Sequence, residues 1–120
     1  MSQETLTNAL NHVAVYLDAK KQQITIFAIG GVVNTLFLEN RMHTRDVDFF
    51  NDDLTAQETA YILRATKSAM KRNRALEPEW LNNHIVLFIP AETRTILTAQ
   101  AFAQDETVYT SAGLRLIAAP

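Results

Sequence analysis

Two aspartates stand two residues apart in residues 45–50, a segment that alternates between polar and apolar positions as a β-strand does. On a strand, the side chains of Asp46 and Asp48 would leave one face, and the two apolar neighbours would leave the other. Adjacent carboxylates repel each other, and a divalent cation relieves that cost. Mg²⁺ prefers oxygen ligands of this kind, shared with substrate phosphates. The spacing therefore predicts a metal site at Asp46 and Asp48.

A glycine pair, Gly30-Gly31, lies between an apolar, β-branched run at residues 24–29 and a segment with helical spacing at residues 32–41. Glycines lack Cβ atoms, so they can adopt positive φ and let a phosphate approach the backbone. A helix that starts at Val32 would direct free N–H groups and the positive end of its dipole toward that phosphate. The order of strand, glycines and helix therefore predicts a phosphate-binding turn.

Arg41, Thr44 and Arg45 lead into the acidic strand and could bind phosphate oxygens or steady the carboxylates. Each feature alone is common, because a glycine pair usually marks a plain turn and an Asp-x-Asp usually marks a solvated strand end. Together, in this order, they favour one nucleotide site. The chain has neither the Gly-x-x-x-x-Gly-Lys-Ser/Thr pattern of P-loop proteins nor the Gly-x-Gly-x-x-Gly of dinucleotide-binding folds.

Residues 27–50 resemble the signature of the polymerase-β-like nucleotidyltransferase superfamily, in the form Gly-Gly, a helix, then Arg-x-x-Thr-x-Asp-hydrophobic-Asp. The most similar branch includes small nucleotidyltransferases of toxin–antitoxin type and uncharacterised, often fungal, relatives. Outside this segment, the chain agrees with the family mainly in the order of its helices and strands. The resemblance is more specific for the superfamily than for any one substrate.

This resemblance implies metal-assisted nucleotidyl transfer from an NTP, expected to be ATP, to an acceptor that the sequence does not identify. Gly30 and Gly31 would hold the β and γ phosphates. Asp46 and Asp48 would hold two Mg²⁺ ions, which clamp the attacking hydroxyl and the α-phosphate while pyrophosphate leaves. The helix N-terminus and Arg45 would stabilise the developing negative charge.

One departure from the family pattern concerns a third carboxylate, which active members supply from a later strand. Here residues 84–89 are predicted to form that strand, and they contain neither Asp nor Glu. Glu79 and Glu92 flank the segment, and His84 would be a poor ligand for Mg²⁺. The alternative function is therefore a catalytically inactive relative that serves binding or assembly. A third interpretation is an unrelated α/β domain whose aspartates only solvate a strand end.

The elements that would position these residues follow from periodicity and capping signals. Helices are predicted at residues 3–20, at 32–41, from the capping box at Thr55 to about residue 73, and as one or two short helices at 91–104; strands are predicted at 24–29, 45–50, 85–89, 108–109 and 114–117. This order predicts one α/β (α+β) domain over residues 1–120, a nucleotidyltransferase-like mixed sheet with helices packed against it. The apolar final strand suggests truncation of a longer chain at the C-terminus, or cover from a partner subunit in a homo-oligomer. The alternative is a C-terminal edge strand.

Composition limits the partners. The formal charge of −2 over 120 residues gives no electrostatic case for non-specific binding to nucleic acid or membranes. A basic run near the end of the helix that Thr55 opens leaves a nucleic-acid contact as an alternative to a solvated helix end; it comprises Lys67, Lys71, Arg72 and Arg74. The absence of cysteine excludes disulfides and thiolate metal sites. No apolar run approaches the roughly 20 residues that span a bilayer, and the polar start is unlike a signal peptide, so a cytoplasmic protein is expected.

Overall fold

The computed structural model of the chain describes residues 2–29, 46–51 and 53–118. Within these ranges lie the helices α1 (Gln3–Ala19), α2 (Ala56–Arg72) and α3 (Ala91–Gln104), a 3₁₀ helix (His84–Phe88), and the strands β1 (Ile24–Ile29), β2 (Val47–Phe49), β3 (Leu81–Asn82), β4 (Thr107–Ser111) and β5 (Leu114–Ala118). None of these helices combines the length and apolar character needed to cross a membrane.

The strands form one mixed sheet in the order β3-β2-β1-β5-β4. β1 pairs antiparallel with β2 and parallel with β5, β2 pairs parallel with β3, and β4 and β5 form an antiparallel hairpin. Helices packed on a mixed sheet confirm the predicted α+β class. The alternative of a C-terminal edge strand is wrong, because β5 lies inside the sheet and the hairpin places β4 at the edge.

Helices α1 and α2 begin at the predicted capping residues. The Ser2 hydroxyl accepts a hydrogen bond from the Thr5 backbone N–H at 3.2 Å. At the start of α2, Thr55 and Glu58 form a reciprocal capping box, with both hydrogen bonds at 3.0 Å. The apolar stripes of the two helices pack with one face of the sheet in a shared core; buried members from the helices include Leu6, Leu10, Val13, Leu17, Ile62, Ala65 and Ala69. The helical spacing of apolar residues in α2 also predicts Leu63 in that stripe, but its side chain is exposed.

The opposite face of the sheet carries a smaller core beneath α3 and the 3₁₀ helix. Phe27, Phe50 and Ile117 from the strands and their flanks are buried there with Ala101 of α3. The segment at 91–104, predicted as one or two helices, is one helix. Phe102, predicted to point inward, is half exposed, although its ring packs edge-on against Phe27 with centroids 4.8 Å apart.

The predicted strand at residues 85–89 is wrong, because His84–Phe88 is a 3₁₀ helix. A short apolar run has no periodicity that separates a strand from a helical turn. In the sheet β3 pairs with β2, and within the described residues the segment that follows β3 has no strand partner. The Arg94 guanidinium of α3 donates instead to the carbonyls of Val86 and Ile89, at 2.9 and 3.0 Å. Leu87 and Phe88 are each 80% exposed, which a buried strand would not allow.

Candidate functional site

The acidic strand is held in the sheet by its two apolar residues. Val47 and Phe49 are buried in the core beneath α1 and α2, whereas Asp48 between them is only partly buried. Asp46 immediately precedes the strand. The Val47 N–H donates to the carbonyl of Trp80 at 2.6 Å, which ties the start of β2 to β3. The alternation therefore turns Asp48 to the face opposite the larger core.

β1 ends beside Asp48. Ile29, the last residue of β1, is the register partner of Asp48, and Ala28 is the partner of Phe49. Gly30 follows Ile29 directly in the chain. The strand that leads into the glycine pair therefore ends at the acidic strand.

The other half of the predicted site lies outside the described residues. That half comprises Gly30, Gly31, Arg41, Thr44 and Arg45, together with the predicted helix at 32–41. The two aspartates are the predicted site residues that the structure describes.

On its other side, Asp48 is the register partner of Asn82 in the parallel strand β3. Asn82 is 5% exposed, and its side-chain amide acts to lower the pKa of the Asp48 carboxyl. Its Nδ2 also donates to the carbonyl of Glu79 at 2.9 Å, and its Oδ1 accepts from the His84 backbone N–H at 3.0 Å. Sequence reasoning missed Asn82, because β3 has two residues and shows no periodicity.

The tight turn before β3 positions Asn82. The Trp80 N–H donates to the Glu77 carbonyl at 3.1 Å, with Pro78 and Glu79 at the centre of the turn. Glu79 has a φ of 63°, the left-handed region that a side chain rarely adopts and that glycine favours at such a position. Trp80 is fully buried and donates from Nε1 to the Thr66 carbonyl of α2 at 3.2 Å. Trp80 therefore fills the core, and it directly precedes β3.

The electrostatics at Asp48 disfavour its ionised form. Burial raises the pKa of the Asp48 carboxyl above its usual value, and the negative charge of Asp46 raises it further. The hydrogen bond from Asn82 and the charge of His84 act in the opposite direction, with smaller effects. A carboxylate kept ionised at such a cost is a common feature of sites that bind a cation or move a proton.

The donor set is compatible with Mg²⁺ shared with a ligand, rather than with an all-protein metal cage. Residues 2–29, 46–51 and 53–118 contain no group of three or more His, Asp or Glu side chains that could hold a metal ion. Mg²⁺ commonly binds through one or two carboxylates and completes its coordination with phosphates and water. Asp46 and Asp48 fit that pattern.

In the described part of the site, no third carboxylate lies next to Asp48 on β3. Asn82 occupies that position. Oε1 of Glu79 lies 3.6 Å from Nε2 of His84, and Glu92 lies in the first turn of α3. An amide supplies neither the negative charge nor the proton-accepting capacity of a carboxylate. β3 thus places an amide, rather than a third carboxylate, beside Asp48.

No protein-family model, curated protein or solved structure matches this chain. The nucleotidyltransferase resemblance therefore depends on the motif in residues 27–50, and the position of Asp48 between Ile29 and Asn82 is the structural observation that bears on it.

Proposed function

We propose that this protein binds a nucleoside triphosphate, with ATP the first candidate, together with Mg²⁺. Asp46 and Asp48 would hold the cation, and Gly30 and Gly31 would hold the β and γ phosphates. The observation that carries the proposal is the register pairing of Ile29 with Asp48, which places the acidic strand beside the strand that leads into the glycine pair. The raised pKa of Asp48 adds support, because a bound cation would offset the effects of burial and of the Asp46 charge that raise it.

When bound, Mg²⁺ would supply positive charge that the two carboxylates and the phosphate oxygens share. The chain's own contribution is to hold the carboxylates in place. Val47 and Phe49 anchor the strand in the core, and Asn82 is the register partner of Asp48 on β3. Arg41, Thr44 and Arg45 would bind phosphate oxygens. Nucleotidyl transfer to an acceptor, with a second Mg²⁺ ion, is the catalytic form of this proposal.

The second candidate function is a catalytically inactive relative that uses the same site for binding or assembly. Asn82 favours it, because the position beside Asp48 holds an amide where the family resemblance implies a carboxylate. The described residues offer no general base at that position. Binding of a nucleotide is therefore better supported than its turnover.

Isothermal titration calorimetry with ATP and Mg²⁺ tests the binding proposal. The wild-type chain should bind in a Mg²⁺-dependent manner, and Asp46→Ala/Asp48→Ala should lose that binding. The matched control, Asp18→Ala/Glu106→Ala, removes two exposed negative charges outside the acidic strand and should bind like the wild type. Absence of Mg²⁺-dependent binding by the wild type would overturn the proposal. Equal binding by wild type and the aspartate double variant would place the nucleotide elsewhere.

The same preparations test turnover. Incubation with α-³²P-labelled NTPs would reveal transfer of the labelled nucleotidyl group to the protein itself, and incubation with γ-³²P-labelled NTPs would reveal release of labelled pyrophosphate. Binding without either product supports the inactive relative, and Asp48-dependent release of pyrophosphate supports the enzyme.

We also propose that the protein acts in the cytoplasm. It contains no cysteine, so no step in its folding requires an oxidising compartment. The ATP and Mg²⁺ that the site would use are available there. Fractionation of cells that express the tagged chain would test this location.

A further inference from the structure

Three cationic side chains of α2 and the turn after it line one open cavity of about 450 Å³. The cations are Lys67, Lys71 and Arg74, and the apolar side chains of Met70 and Leu76 complete the lining. Lys67 and Lys71 are one helical turn apart, so they lie about 6 Å from each other along the axis of α2. All three cations are exposed, whereas Leu76 is largely buried and forms the floor. These five residues are called the basic groove below.

Favourable interaction with the end of the helix does not explain this grouping. The cations in the last turn of α2 are Lys71 and Arg72, whereas Lys67 lies earlier and Arg74 lies beyond the helix. Arg72 lines a different cavity, beside His12. Among residues 2–29, 46–51 and 53–118, no Asp or Glu side chain lines the basic groove. The groove therefore concentrates positive charge locally on a chain whose formal charge is −2.

We infer that the basic groove binds a single-stranded polynucleotide. Lys and Arg side chains spaced along a groove suit a row of phosphates. Met70 is partly exposed and offers an apolar surface beside the cations, and a thioether makes favourable contacts with aromatic rings such as nucleobases. A peptide made only of acidic residues would supply negative charge but no aromatic face, and a duplex would keep its bases stacked inside. The ligand that uses both parts of the groove has phosphates and accessible bases.

A second cavity, of about 250 Å³, continues from the basic groove toward the candidate site. It shares Lys67 and Met70 with the groove and extends to Asn82 and His84. A polynucleotide held by the basic groove could therefore continue to Asn82, the register partner of Asp48. The binding itself uses none of the proposed nucleotide-site residues, so it stands independently of the proposed function.

Fluorescence anisotropy with a labelled single-stranded RNA of about 15 nucleotides tests this inference. The charge-reversal variant Lys67→Glu/Lys71→Glu/Arg74→Glu should bind at least about tenfold more weakly than the wild type. In this variant, the plot of log affinity against log salt concentration should have a slope that is shallower by about 2. Each lost contact between a cation and a phosphate of a single strand changes the slope by roughly 0.7, and the variant loses three cations. Met70→Ala should weaken binding with no change in that slope.

The control is Lys20→Glu/Lys21→Glu/Arg64→Glu, which makes the same change of net charge at other exposed positions. It should retain most of the wild-type affinity. Equal losses of affinity in both triple variants would overturn the inference, since net charge alone would then control binding. Circular dichroism melts would verify folding, and Lys67→Gln/Lys71→Gln/Arg74→Gln provides a milder substitution if the reversal unfolds the chain.

Competition experiments separate the ligand classes. Unlabelled single strands of RNA or DNA should displace the probe, because phosphates and bases are common to both. Displacement by polyglutamate or by duplex RNA at equal charge concentration would overturn the inference. Asp46→Ala/Asp48→Ala should keep its oligonucleotide affinity, so failure of nucleotide binding and failure of polynucleotide binding can be told apart.

Discussion

Asp48 and Asn82 are register partners across the parallel strands β2 and β3, and the buried Asn82 side chain counteracts the rise in the pKa of the Asp48 carboxyl. Asn82 is itself held on both sides, by the carbonyl of Glu79 and the backbone N–H of His84. The family resemblance implies a carboxylate on a later strand close to the first two, and Asn82 is the described residue in that place. This relationship makes the charge at position 82 the most informative feature to vary.

Replacing Asp48 by Asn should stabilise the protein at neutral pH. The pKa of Asp48 is raised in the folded state, so the ionised side chain costs stability above that pKa. The cost disappears as the pH falls through the folded pKa and below the unfolded value of 3.8. Urea unfolding at pH 7 should give Asp48→Asn a free energy of unfolding higher than that of the wild type by less than about 1 kcal/mol, since the carboxylate is partly solvated. This difference should vanish near pH 3. Glu106→Gln, at an exposed position, should show no such gain.

Replacing Asn82 by Asp should make stability depend on Mg²⁺. A third negative charge beside Asp46 and Asp48, with removal of the amide donor, should destabilise the metal-free chain by about 1–3 kcal/mol. Mg²⁺ should restore more of this stability than it adds to the wild type, which thermal melts with and without the cation would reveal. Asn82→Ala should lose stability with no gain in Mg²⁺ response. Equal responses of the Asp and Ala variants would contradict a metal-proximal position for residue 82.

Replacing Glu79 by Gly should stabilise the turn before β3. Glu79 has a φ of 63°, which glycine adopts without steric cost, so relief of strain should contribute about 1 kcal/mol. The substitution also removes the ion pair with His84, which joins two exposed side chains and contributes little. Glu79→Ala removes the same ion pair without relieving the backbone and is the matched control. In urea unfolding, Glu79→Gly should have a higher free energy of unfolding than the wild type. Glu79→Ala should have a lower free energy of unfolding than Glu79→Gly.

His12 should make the interface between α1 and α2 sensitive to acid. Its Nε2 lies 2.9 Å from the Ser68 hydroxyl, and its pKa is lowered by burial and then by the charge of Arg72. Because the pKa of His12 is lower in the folded state than in the unfolded state, neutral His12 contributes fully to the free energy of unfolding above the unfolded pKa of 6.5. This contribution is lost as the pH falls through the folded-state pKa. Free energies of unfolding at pH 8 and pH 5 should differ less in His12→Gln than in the wild type. An unchanged difference would mean that other groups produce it.

Several elements could be predicted from local sequence because local interactions determine them. The caps at Ser2 and Thr55 and the apolar spacing of α1 and α2 involve residues within a few positions of each other. β1 has the predicted bounds, since a β-branched run next to glycines favours a strand wherever it packs. The prediction for residues 84–89 was wrong, because the hydrogen bonds from Arg94 that hold this segment come from another element.

By itself, the sequence determined the helical stripes, the β1 strand, and the alternation that buries Val47 and Phe49 while leaving Asp48 between them, because periodicity and side-chain size act over neighbouring residues. Only the tertiary structure decided which residues flank Asp48. Strand order is set by packing of the whole sheet, and it brought Ile29 to one side and Asn82 to the other. The burial and hydrogen bonding of Asp48 follow from that order, and so does the presence of an amide beside it.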